Sequence, residues 1–301
     1  MSRRVRIAII GNCQAQTLTS LAVALDLPVD PIVLPPVYER DKIAQQEVRA
    51  AVAACDFVFN QLVSDDFLVD YVRPREIRSA FSDRSFSWPN IYFDGYFPSV
   101  GYIYRNDGTK VTGPLSDYHF DAIVRAWAAG MSAEDAWQGL DAGALPGLSP
   151  YPVEESLRRL SRREARADLK MAGFLTRHFR HKPLFFTMNH PSNFVILEML
   201  RLMMDAISIK VPSAAAAHVI LRDFPYSLDA IRLPYLNYVK QQYLMPSSYG
   251  EDIVGRSIEN IDGMWAEGGN AQIYDGIELM SAYYKVYESA VDKDVVLHRY
   301  D

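Results

Sequence analysis

Two short segments carry residue types from which group-transfer chemistry can be built. Gly11-Asn12-Cys13-Gln14 follows the largely β-branched run Val5–Ile10 and precedes Leu18, Leu21, Ala22 and Leu25, which repeat at helical spacing. The thiol therefore stands at a strand-to-helix junction, where open α/β sheets bind ligands beyond the carboxyl ends of their strands. The partial positive charge of a helix N-terminus favours thiolate over thiol. Gly11 permits a sharp turn, and nearby backbone N–H groups can face an oxyanion. On this reading the Cys13 pKa falls below the free value of ~8.5, and iodoacetamide alkylates the thiol at neutral pH. The alternative is a small buried thiol filling space behind the strand, and the position at the junction favours function. Cys55, at the end of an apolar helical segment, reads as structural.

The second segment is Thr187-Met188-Asn189-His190-Pro191, which ends a strand over 183–188. It places His190, with Asn189 beside it, at another strand end that can reach the edge holding Cys13. A histidine within hydrogen-bond distance would act as general base toward the thiol and as acid toward a leaving group. Otherwise His190 merely precedes a helix, with Pro191 near its first turn. Asn60-Gln61 ends a third strand and projects two amides toward the same rim. They either donate to an oxyanion or satisfy loop carbonyls. Arg158, Arg159, Arg162, Arg163, Arg166, Lys170, Arg177 and Arg180 lie on a helical stretch over 154–181, with Lys182 just beyond. That cluster either holds phosphates or forms a solvated face paired with Glu154, Glu155, Glu164 and Asp168.

These residues need a scaffold that brings strand ends to one edge. Strand signals at Val5–Ile10, 31–34, 57–63 and 90–93 alternate with helical ones, which predicts a mainly parallel sheet flanked by helices. The strand over 183–188 is expected to join it, in a single α/β domain over 1–301 with a helical insertion, an added lobe, at about 113–182. Further on, 218–221 reads as strand, 193–207 as a buried helix, and a C-terminal helix places Ile273, Ile277, Met280, Tyr284 and Tyr287 on one stripe. The 301 residues are 49% apolar, enough to bury a full core, and the net charge of −6 argues against a nucleic-acid partner. Two cysteines make no disulfide framework and suit a reducing, cytoplasmic setting. No integral membrane segment is expected, because the apolar runs are too short or broken by charge. Dinucleotide and P-loop glycine patterns are missing, as is zinc spacing, so no metal is expected.

In order along the chain, Gly11-Asn12-Cys13-Gln14, Phe59-Asn60-Gln61, Gly95-Tyr96-Phe97-Pro98 and Thr187-Met188-Asn189-His190-Pro191 resemble the WcbI family of capsular polysaccharide biosynthesis proteins. The resemblance covers most of the chain. It implies an α/β fold related to SGNH hydrolases, binding of coenzyme A or acetyl-CoA, and acetyl transfer to a capsule sugar hydroxyl. Cys13 and His190 would then be catalytic. Asn12, Gln14 and Gln61 would stabilise the oxyanion, and Arg177, Arg180 and Lys182 would hold coenzyme A phosphates. SGNH enzymes carry an aspartate three positions before the histidine, where this chain has Thr187. Partners on this reading are a polysaccharide or sugar nucleotide and a capsule biosynthesis complex. Two alternatives stay open: a non-catalytic coenzyme A- or nucleotide-binding subunit of that complex, or a thiol-dependent acetyl esterase.

Overall fold

A computed structural model describes residues 3–292 apart from 106 and 226. In chain order the elements begin β1 (Val5–Ile10), α1 (Cys13–Ala24), β2 (Val29–Ile32), α2 (Arg40–Ile43), α3 (Gln46–Ala53), β3 (Phe57–Gln61), α4 (Pro74–Phe81) and β4 (Ser85–Trp88). There follow β5 (Val100–Gly101), β6 (His119–Phe120), α5 (Asp121–Ala128), α6 (Ala133–Asp141), α7 (Pro152–Arg163), α8 (Ala172–His178), β7 (Phe185–Thr187) and β8 (His190–Pro191). The chain continues through α9 (Asn193–Ala206), α10 (His218–Arg222), α11 (Asn237–Gln242), β9 (Ile253–Ile261), β10 (Met264–Tyr274) and α12 (Gly276–Ala290). Two compact units share it: Met1–Tyr92 with Arg158–Arg177 and His190–Leu228, and Phe93–Leu157 with His178–Asn189 and Asp229–Asp301. No described helix is long and apolar enough to cross a membrane.

The first unit holds a four-stranded sheet of order β2-β1-β3-β4, parallel throughout. Ala8, Ile10 and Val58 on one face pack against Ile43, Val52, Val72, Ile77 and Phe81. Helix α1 packs against α9, whose Val195, Ile196, Met199, Leu200 and Met203 are buried, as the apolar 193–207 segment predicts. The fourth strand, however, is Ser85–Trp88 rather than 90–93. Pro89 ends it by removing a ladder donor. The Gln14 side chain then takes over Ile91, accepting from its N–H at 3.2 Å and donating to its carbonyl at 2.9 Å. The long basic helix is broken between α7 and α8. The Glu164 carboxylate accepts from Met171 N at 2.7 Å, close to the first turn of α8. Asp168 accepts from the backbone N and the hydroxyl of Ser87, both at 2.7 Å. This covers the free edge of β4, where unpaired backbone groups would otherwise be exposed.

In the second unit β7 stands outside the four-stranded sheet, contrary to the sequence expectation. It is held instead by Leu233 N donating to Phe186 O at 2.9 Å and by the Tyr235 hydroxyl donating to Phe185 O at 2.7 Å. Residues 218–221, expected as strand, belong to helix α10 in the first unit. Strands β9 and β10 form a long antiparallel hairpin that the sequence reading missed. Its two-residue turn is Asp262-Gly263, with φ of 52° and 89°, the positive pair that a tight hairpin turn demands. Ile273 lies on that hairpin, exposed, and the buried stripe of α12 is Leu279, Met280, Tyr283, Val286 and Tyr287 instead.

That stripe surrounds His119. Its Nε2 lies 3.0 Å from the Val111 carbonyl, which can only accept, so Nε2 carries the proton and Nδ1 accepts from the Tyr287 hydroxyl at 3.1 Å. Burial lowers the His119 pKa to about 4. The unfolded chain binds this proton from ~6.5 downward, so stability should fall as pH drops from 6.5 to 4, by on the order of 3 kcal/mol in total. Urea midpoints measured across that range check it, and His119→Leu should flatten the slope while lowering stability at pH 7.

Candidate active site

The carboxyl ends of β1, β3 and β4 converge on one rim, and the sequence there is rich in amides. Asn12 caps α1: its Oδ1 accepts from Gln14 N at 3.1 Å, and its own carbonyl accepts from Ala15 N at 2.8 Å. Asn12 N donates to Gln61 Oε1 at 3.0 Å, which ties the end of β1 to the end of β3. Gln61 Nε2 returns a bond to Asn12 Oδ1 at 3.3 Å and reaches Gln14 Oε1 at 3.4 Å. Asn90 Oδ1, just past β4, accepts from Asn12 Nδ2 and Gln14 Nε2, both at 3.3 Å. Asn12, Gln14, Gln61 and Asn90 thus form one cross-braced knot in which most amide capacity is spent internally. Asn60 differs. It is 2% exposed at the end of β3, and its Nδ2 has no hydrogen-bond partner.

Gly11 is required by proximity rather than by an unusual φ. A Cβ there would stand 2.8 Å from the Trp88 ring and 3.1 Å from Gln61 Cβ. Nothing larger than hydrogen lets β1 leave the sheet so close to β4.

Cys13 is the first residue of α1, half-buried, with its thiol unpaired to Cys55. Burial pushes its pKa up to about 11, and the backbone N–H groups of Gln14 and Cys13 pull it down only in part. This corrects the expected lowering: desolvation of the thiolate outweighs the helix terminus. Cys13 in turn acts on Tyr38. The phenol, in the loop after β2, has its own pKa raised by burial and then by Cys13 and Glu39. That loop is pinned by Val37 N donating to Gly11 O at 2.9 Å and by Gln16 Nε2 donating to Leu34 O at 3.0 Å. Tyr38 and Asn90 are the site residues that sequence reasoning missed. Both follow strand carboxyl ends, and that position was the available signal.

His190 precedes the N-terminus of α9, the helix packed on α1, and belongs to the same unit as Cys13. Asn189 belongs to the second unit, where its Oδ1 accepts from the Tyr118 hydroxyl at 2.7 Å and from Thr187 Oγ1 at 3.1 Å. Thr187, in the aspartate position, therefore orients Asn189. Arg177 lies in the first unit, while Arg180 and Lys182 lie in the second, and all three side chains are exposed. The Tyr96 hydroxyl fixes their turn by donating to Phe179 O at 2.7 Å and Lys182 O at 3.3 Å. Among the described residues no group of three His, Cys, Asp or Glu side chains is placed to hold a metal.

The model of a family described as "Polysaccharide biosynthesis enzyme WcbI" matches residues 6–212, more than half of the chain. The chain belongs to the WcbI family of polysaccharide biosynthesis enzymes. A solved structure of WcbI, a novel polysaccharide biosynthesis enzyme, in its native form without a disulfide bond between coenzyme A and one of its cysteines, is similar in fold. It aligns with a TM-score of 0.64 at 18% identity over 98% of this chain and 93% of that one. No curated protein sequence matches the chain. The WcbI match spans the amide knot, Cys13, His190 and the basic turn, and stops before the β9–β10 hairpin.

The burial of Cys13 and the closeness of Gly11 to Trp88 can both be measured. Alkylation of Cys13 by iodoacetamide, followed by mass spectrometry, should be slow at pH 7 and rise about tenfold per pH unit toward pH 10, with no plateau below pH 8. Gly11→Ala should destabilise the fold by about 1–3 kcal/mol through overpacking against Trp88, measurable as a lowered urea midpoint.

Proposed function

We propose that this chain binds acetyl-coenzyme A and transfers the acetyl group to a sugar hydroxyl during capsular polysaccharide biosynthesis, in the cytoplasm. The observation that carries the reading is Cys13 at the first turn of α1, on a strand-end rim made rigid by the amide knot. The similar WcbI structure, described by reference to a disulfide between coenzyme A and a cysteine, supports a coenzyme A sulfur lying against Cys13. Arg177, in the same unit as Cys13, supplies positive charge of the kind its phosphates need.

A thiol whose pKa is about 11 is a thiolate only about once in 10⁴ molecules at pH 7, which favours direct transfer over an acetyl-cysteine. In that step the sugar oxygen bonds to the acetyl carbon and the carbon–sulfur bond breaks. His190 accepts the hydroxyl proton and returns it to the departing sulfur. The unspent Asn60 amide and the first backbone N–H groups of α1 hold the oxyanion, each good donor being worth ~3–4 kcal/mol. Cys13 lines the thioester pocket. A non-catalytic coenzyme A-binding subunit is the second reading. It is favoured by the internal bonding of Asn12, Gln14 and Gln61 and by the Thr187 in place of aspartate.

Incubation with radiolabelled acetyl-CoA and capsule-type acceptor glycans separates the two. Label should appear on the sugar, fall about 10²–10⁴-fold in His190→Ala, and persist in Cys13→Ala with weaker donor binding. Label trapped on Cys13 would establish the covalent route, and donor binding without transfer to any acceptor would establish the binding subunit.

A further inference from the structure

The second unit contains a cavity of about 200 Å³ that no step above uses. Its floor is apolar: Phe186, Leu233 and the ring of Tyr235. Tyr235 cannot offer its hydroxyl, which is bonded to Phe185. Its ring is clamped between Tyr96, stacked at 4.2 Å, and Phe97, edge-on at 5.3 Å. The wall is the 246–252 segment, and it is held in place before any ligand arrives. Lys240, only 9% exposed, donates from Nζ to Ser247 O at 2.9 Å. Gly250, at φ 65°, lies so flat on Tyr235 that a Cβ would stand 2.5 Å from Cδ1 of the ring.

Polar groups are confined to the rim. The Arg232 guanidinium is centred 5.5 Å over the Phe186 ring, with Nη2 2.6 Å from Asp229 and Nη1 4.0 Å from Asp252. Glu251 and Asp252 expose carboxylates at the mouth. Size and charge select the ligand. The volume falls below the ~300–1,000 Å³ of pockets for drug-sized molecules, so one ring fits and a nucleotide cofactor does not. Two carboxylates at the mouth, beside a guanidinium already paired with Asp229, disfavour phosphate. An amine would have to share the space with Arg232. A neutral pyranose satisfies both features: its C–H groups pack on the apolar lining, chiefly the half-buried Phe186, and its hydroxyls both donate to the carboxylates and accept from the guanidinium.

We propose that this cavity is a saccharide subsite that holds one neutral sugar ring of the glycan, with Phe186 and Tyr235 as its floor and Arg232, Glu251 and Asp252 as its hydroxyl ligands. The proposal rests on the reading of the chain as acting on a sugar, but it is tested without any acyl donor, so its failure and the failure of acetyl transfer are separate results. The test is saturation-transfer NMR on the full chain with methyl glucopyranoside, galactopyranoside, mannopyranoside and N-acetylglucosaminide. At least one should bind with millimolar affinity, with saturation strongest on the ring protons of one face. Phe186→Ala and the surface pair Glu251→Gln/Asp252→Asn should each weaken it at least tenfold with an unchanged circular dichroism spectrum. The double variant touches only exposed side chains, so it remains informative if Phe186→Ala fails to fold. The proposal is overturned if none of the four glycosides binds, if the double variant binds as well as the parent, or if pyrophosphate or methylammonium displaces the sugar.

Discussion

Buried amides must find partners inside the protein, and at the rim of this sheet that demand organises the backbone. Gln14 is fully buried and Gln61 nearly so, yet each carries a donor and an acceptor group that water cannot reach. An unmet bond there costs about 1–3 kcal/mol, more than a made one contributes. The solution is mutual: Asn12, Gln14, Gln61 and Asn90 satisfy one another and the backbone of residues 12 and 91. In doing so they lock the end of β1, the end of β3 and the chain beyond β4 into one arrangement. The start of α1 and the place of Cys13 follow from it.

The same economy shapes the chemistry. The amides of the knot are spent on one another and on holding the backbone, whereas Asn60 Nδ2 has no hydrogen-bond partner. Desolvation works in the same direction on Cys13. A rim closed enough to bury the amides also strips water from the thiolate, and the helix terminus offsets only part of that loss. Burial thus keeps the Cys13 thiol protonated near neutral pH.

The second unit solves its packing with aromatics. Tyr96 and Tyr235 stack, Phe93 and Phe97 meet the Tyr96 ring edge-on, and the hydroxyls pin the backbone of the neighbouring strand and turn. Gly95 belongs to this arrangement because a Cβ would run into the Phe93 ring and the Val153 backbone. The Gly95-Tyr96-Phe97-Pro98 motif is thus a packing element that holds the Tyr235 ring rigid beside the cavity of the second unit.

The sequence by itself determined three strands of the first sheet, the strand-to-helix junction at Cys13 and the family, because largely apolar strand runs, helical periodicity and short motifs are local signals. It also carried the Asp262-Gly263 turn, the local signal of the β9–β10 hairpin. Tertiary structure alone decided the rest. Whether β7 joined the sheet depended on Leu233 and Tyr235, far along the chain, and the end of β4 depended on Gln14 reaching Ile91. The ionisation of Cys13 was beyond reach for the same reason. A helix terminus can be read from neighbouring residues, whereas desolvation is set by everything folded around the sulfur, and no local pattern encodes that sum.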